Sequence, residues 1–172
     1  GDVREDFLEE LKLFTDSVFR ENRSVLDLLS ADYTFLNERT ALLYGIQDVK
    51  GDRFRRVVLK DSRRFGLRGK GAVLMVTSYP NRTAPVLRGA FVLERLMGTP
   101  PAAPPPNVGA LKENTEGAKA RTMREMMAAH ASNPSCNSCH GIMDPLGFAL
   151  DSFDAVGQLR DKDRFAGVLI DT

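Results

Sequence analysis

Apolar residues recur at helical spacing from the start of the chain. Phe7, Leu11, Phe14 and Val18 stand at i, i+4, i+7 and i+11, which predicts a helix from residue 4 to about residue 21. Ser24, followed three residues on by Asp27, resembles a capping box with the shorter acid and marks a second helix start. A third helix is expected from Thr34 to Tyr44, with Gly45 as a left-handed stop and Ile46 as the apolar residue that accompanies it. Three short, closely spaced helices predict antiparallel neighbours. Residues 47–65 are polar and basic, with Val57-Val58-Leu59 as a short strand. Between 66 and 77, Leu67, Gly71, Leu74 and Met75 favour a helix, although Val73 to Val76 also suits a buried strand; we read it as helix. Pro80 and Asn81 mark a turn. Pro85 then sits in the first turn of a helix ending at Gly98, with Val86, Ala90, Leu93 and Met97 as its inner stripe.

Five of the nine prolines fall between Pro100 and Pro106, which reads as an extended, semi-rigid connector. Beyond it a helix is expected from Gly117 to Ala131, with Met123, Met126, Met127 and His130 on one face. A methionine stripe is ordinarily adaptable core packing, and it would equally suit the edge of a flat apolar cofactor. The 172 residues are 42% hydrophobic and 27% charged, which excludes a disordered polyelectrolyte. Lys and Arg number 24 against 23 Asp and Glu, so charge supplies no footing for a nucleic-acid partner. No apolar run reaches the roughly 18 residues that a membrane span needs. Gly1 in place of Met, and the open end Ala166-Gly-Val-Leu-Ile-Asp-Thr, read as a piece of something longer.

Both cysteines and one of the two histidines lie in Cys136-Asn137-Ser138-Cys139-His140, the c-type haem attachment pattern. Two thiols separated by two residues match the haem vinyl groups, and the adjacent imidazole is placed to ligate the iron. Three other readings compete. A redox dithiol usually brings a thioredoxin-like βαβ context, which is not visible here. A structural zinc site could draw on His130, Cys136, Cys139 and His140, although the adjacency of Cys139 and His140 strains a tetrahedral geometry. The third is a stabilising or accidental motif.

Longer strings carry a resemblance. Asp32-Tyr-Thr-Phe-Leu-Asn-Glu-Arg with Leu43-Tyr-Gly-Ile looks like the end of one domain. Gly66 to Val108, including Thr77-Ser-Tyr-Pro-Asn-Arg-Thr-Ala-Pro-Val-Leu-Arg-Gly and Gly98-Thr-Pro-Pro, looks like the next. Cys136-Asn-Ser-Cys-His, Asp144-Pro-Leu-Gly-Phe-Ala-Leu and Phe153-Asp-Ala-Val-Gly look like its cytochrome-type end running into a third. Together the chain resembles planctomycete-type secreted cytochrome-like proteins built of adjoining domains of unknown function. The resemblance implies covalent haem c with its iron, periplasmic or extracellular placement, and no established reaction. Covalent haem and reduced thiols awaiting it fit export, so a signal peptide or anchor is expected in the full-length gene product.

Asp144-Pro145-Leu146-Gly147 reads as a turn, with Phe148, Leu150 and Phe153 available to wall a haem. The candidates for a sixth ligand are His130 and Met75, Met97, Met123, Met126, Met127 and Met143, with an open or water-bound site as the other option; Met143 lies three residues past His140, on the wrong side of the ring. Arg82 and Arg88 could pair with propionates or be plain surface charges. The expected fold is mainly α, a small helical bundle followed by a proline-rich linker and a cytochrome-c-like haem-attachment module. Its expected parts are 1–46, the helical end of a preceding domain; 47–133, a helical middle domain with the linker at 99–107; and 134–172, the attachment segment with the start of a further domain. The leading function is electron transfer by a c-type haem module within a larger extracytoplasmic protein, with an unidentified redox partner. The alternatives are a haem domain serving an oxidoreductase activity and a zinc-binding scaffold.

Overall fold

The first helix, α1 (Val3–Arg20), is held at its start by a capping box: Asp2 accepts from the Arg4 and Glu5 amides, and Glu5 reaches back to the Asp2 amide. This computed structural model describes residues 2–80, 82–104, 106 and 119–172. The predicted stripe is the buried face of α1, with Phe7, Phe14 and Val18 each at most 1% exposed. A single short turn, α2 (Asp27–Ser30), follows, then β1 (Tyr33–Leu36) and α3 (Glu38–Leu43). β1 pairs antiparallel with β2 (Arg55–Val58), Tyr33 opposite Val58 and Leu36 opposite Arg55. Next come α4 (Gly71–Val76) and the two-residue strands β3 (Ser78–Tyr79) and β4 (Arg82–Thr83), which form a second small sheet. α5 (Pro85–Phe91) runs into a π-helical turn, Val92–Leu96, and α6 (Met123–Ala131) and α7 (Pro134–Phe148) complete the order.

The expected mainly α fold is therefore corrected. Among the described residues, seven α-helices share the chain with two two-stranded sheets, a mixed fold. The helix expected from Thr34 is a strand up to Leu36. Tyr33, Thr34 and Phe35 are aromatic or β-branched, and pairing with β2 overrides the helical spacing. Asn37 then starts α3 by accepting from the Thr40 amide. Gly45, at φ 75°, closes it with the Ile46 amide on the Ala41 carbonyl, as the sequence predicts. Nor does a separate cytochrome-c-like module follow a bundle and linker: the Cys136–His140 motif lies inside α7. The expected turn at Asp144–Gly147 is likewise helix, with Pro145 in its interior. The π turn adds a residue to the α5 register, so Leu93 stays buried while Met97 points out at 60% exposure. The turn residue Asn81, the first residues of the helix expected at 117, and linker residues 105 and 107 lie outside the described residues, as does Val108.

Two compact units result. The first is Gly1–Arg82 with Phe153–Leu159, and the second is Thr83–Ser152 with Arg160–Thr172. In the first, two apolar clusters, around Phe7, Leu36, Ala41 and Tyr44 and around Phe14, Val18 and Tyr33, flank a buried polar core. Glu10 accepts from the Thr34 hydroxyl at 2.6 Å and the Tyr44 hydroxyl at 2.8 Å, and Tyr44 in turn accepts from the Gly71 amide at 2.6 Å. Arg64 lies between the Tyr44 and Phe153 rings and donates to the Gly157 carbonyl. Lys70 donates to the Tyr33 carbonyl and stands 4.2 Å from the Phe14 ring centroid. Burial pushes Glu10 up and Lys70 down, the latter to about 8 against the pull of Glu10.

In the second unit, α5 and α7 meet backbone to backbone. A Cβ on Gly89 would lie 2.0 Å from the Met143 carbonyl oxygen, and one on Gly147 1.8 Å from that of Pro85. Only glycine on both helices permits this approach. Arg88, fully buried, ties α5 to the Leu150 carbonyl at 2.6 Å.

Two outcomes follow from this packing. Gly147→Ala should destabilise the protein by about 2–3 kcal/mol, because backbone must move. Gly141→Ala, whose new methyl meets only the Asn137 side chain at 3.3 Å, should cost little or gain helix propensity. Equal denaturation midpoints for the two variants would refute the close-packing account. At Lys70, the unfolded chain keeps its proton above pH 8 where the folded chain has released it, so stability rises with pH in that window. The stability of the parent relative to Lys70→Met should therefore grow by about 2 kcal/mol between about pH 7.5 and about pH 9.5. A constant difference would show that the folded state leaves this lysine unperturbed.

Candidate functional site

Asn133 caps α7 by accepting from the Ser135 amide at 2.9 Å, and Pro134 occupies the first helical position, where its missing N–H costs nothing. The helix this starts decides the geometry of the motif. Cys136, Cys139 and His140 stand at i, i+3 and i+4, so all three side chains share one face. Both cysteines are free and half-buried. One turn further on, the His140 Nδ1 lies 2.9 Å from Asp144 Oδ1 and 3.1 Å from Oδ2. Asp144 is buried, which pushes its carboxyl up, while the His140 hydrogen bond pulls it back down.

α6 brings the second histidine to this face. The His130 and His140 rings meet edge to face with centroids 5.2 Å apart. The α6 start is a Thr122–Glu125 capping box, reinforced by Asp163, which accepts from the Met123 amide at 3.1 Å. Met123, Met126 and Met127 form a buried cluster with Phe148, and Val86 packs against it. Arg124 stands over the Phe148 ring. The helical stripe thus joins the methionines to one of the three expected wall residues. Leu150 is buried in the same unit, whereas Phe153 belongs to the first unit and stacks on Arg64.

The other candidates are dispersed. Met143 is buried in α7 with its carbonyl against Gly89. Met97 is exposed, and Met75 packs against the Phe7 cluster of the first unit. Arg82 lies over the Tyr79 ring, and Arg88 is interior and bonded to Leu150, so it is not a surface charge. Among the described residues, no group of three or more His, Cys, Asp or Glu side chains is placed to hold a bare metal ion. No helix among them is long and apolar enough to cross a membrane.

Sequence reasoning missed Asp144 as a site residue. The signal was present, a histidine and an aspartate at i and i+4, but it is visible only once the segment is known to be helix.

Residues 64–163, more than half of the chain, match PSCyt3, described as a protein of unknown function (DUF1588). The chain belongs to the PSCyt3 family. Residues 1–46 match a second family, PSD4, also described as a protein of unknown function (DUF1592). The PSCyt3 match contains the whole of α7, the motif and Asp144; the PSD4 match contains α1 through α3. These are the planctomycete-type cytochrome-like domains of unknown function that the sequence resembles. No curated protein and no solved structure matches the chain.

Proposed function

We propose that this PSCyt3 chain is a c-type haem module acting in electron transfer, outside the cytoplasm and within a larger protein. The observation that carries the reading is the single helical face of α7 on which two free thiols and an imidazole stand together. The donor set fits the group. Cys136 and Cys139 would each add S–H across a vinyl double bond, sulfur to one carbon and hydrogen to the other, leaving two thioethers. His140 would ligate the iron through Nε2, since its Nδ1 is engaged by Asp144. The methionine cluster with Phe148 gives the same unit the apolar surface that a haem pocket needs. A bound haem supplies one-electron oxidation and reduction at its iron. The cytochrome element in the family's name supports the same reading.

His130 is our candidate for the opposite iron ligand. It is the imidazole already against His140, and the two rings must part to admit a macrocycle between them.

Protein made with haem-maturation machinery should stay coloured through denaturing electrophoresis and gain the mass of one haem. Colourless protein with stoichiometric zinc would overturn the proposal in favour of a zinc scaffold. For the opposite ligand, His130→Ala should convert a low-spin spectrum to a high-spin one that binds carbon monoxide readily. An unchanged spectrum would remove His130 from the iron. A parent protein that is already high-spin would direct attention to an oxidoreductase role with an open site.

A further inference from the structure

Resting on the haem reading, we infer that Asp144 is a positioning residue: it fixes the tautomer of His140 and lowers the reduction potential of the iron that His140 would hold. Both carboxylate oxygens lie within hydrogen-bond reach of Nδ1, at 2.9 and 3.1 Å. A carboxylate can only accept there, so Nδ1 carries the proton and the Nε2 lone pair faces outward.

An exposed i,i+4 pair on a helix would contribute little and wander among rotamers. This pair is different in its surroundings. The side chains of His140 and Asp144 are only 20% and 10% exposed. The helix beneath them is pinned on both sides of Asp144: Met143 presents its carbonyl to Gly89, and Gly147 abuts the Pro85 carbonyl. The carboxylate is therefore placed by backbone contacts and not by its own flexibility.

A negative charge accepting from Nδ1 makes the imidazole more basic and donates density to the metal, which favours the oxidised over the reduced iron. Neither cysteine serves this purpose, and no other carboxylate is bonded to His140 among the described residues.

Two variants separate position from charge. Asp144→Asn keeps an oxygen acceptor and loses the charge; Asp144→Ala loses both. Haem-loaded parent, Asp144→Asn and Asp144→Ala are compared by redox titration. At a fixed potential the oxidised-to-reduced ratio should fall about tenfold in Asp144→Asn, a shift of about 59 mV upward for one electron. In a His130→Ala background, where the ferrous iron is five-coordinate, the iron–histidine stretch should soften in parallel. Asp144→Glu should recover part of both changes. Equal potentials and stretches, with haem attached throughout, would overturn the inference while leaving the haem reading intact.

Haem-free protein supplies an independent readout. Side-chain nitrogen NMR of His140 should show protonated Nδ1 in the parent and a mixture shifted toward protonated Nε2 in Asp144→Ala. If the parent attaches no haem, the haem reading fails and this NMR comparison still decides the positioning role. The same tautomer mixture in both proteins would refute it.

Discussion

The approach of α7 to α5 is the constraint on which the site depends. Two glycines, Gly89 on one helix and Gly147 on the other, let the carbonyls of Met143 and Pro85 come where a methyl group would otherwise stand. That contact also explains why the helix survives Pro145. A proline in a helix interior removes one hydrogen bond and crowds the preceding turn. Here the backbone on both sides of it is held by α5, and the helix continues to Phe148. Because α7 is continuous, His140 and Asp144 fall one turn apart on the same face as the two thiols.

The first unit shows a different way of fixing a structure. Its core contains Glu10, Lys70 and Arg64, all buried, with Tyr44 and Thr34 supplying hydroxyl donors to the glutamate. Buried charges are costly, and each of these meets defined partners: hydroxyls for Glu10, a carbonyl and a ring for Lys70, and two rings and a carbonyl for Arg64, whose Nε and Nη1 make no hydrogen bond among the described residues. Thr34 meets Glu10 only if β1 is a strand with the observed facing, which is the alternative the helical spacing of 34–44 did not reveal.

What was legible along the chain was what local chemistry decides. The stripe of α1, the stop at Gly45, Pro85 at a helix start and the methionine face of α6 each depend on neighbours within a turn or two. The common face of Cys136, Cys139 and His140 follows from their spacing once α7 is helix. What was hidden depends on tertiary contact. Asp144-Pro-Leu-Gly has turn composition, and only the packing of Gly147 on Pro85 makes it helix. Arg88 resembles a surface charge in sequence, yet it is interior and donates to the Leu150 carbonyl, a contact 62 residues away along the chain. Tyr33 to Leu36 needed the distant β2 as partner.

The proposed haem module needs α7 to hold Cys136 and Cys139 as two thioether anchors beside an iron-ligating His140. The pyridine haemochrome spectrum of the matured protein tests it most directly, because the position of its band reports how many vinyl groups remain. The expected spectrum is that of a haem with both vinyls saturated, moving to that of a single thioether in Cys136→Ala and in Cys139→Ala. A parent spectrum with both vinyls intact, from a haem that acid acetone extracts, would contradict it.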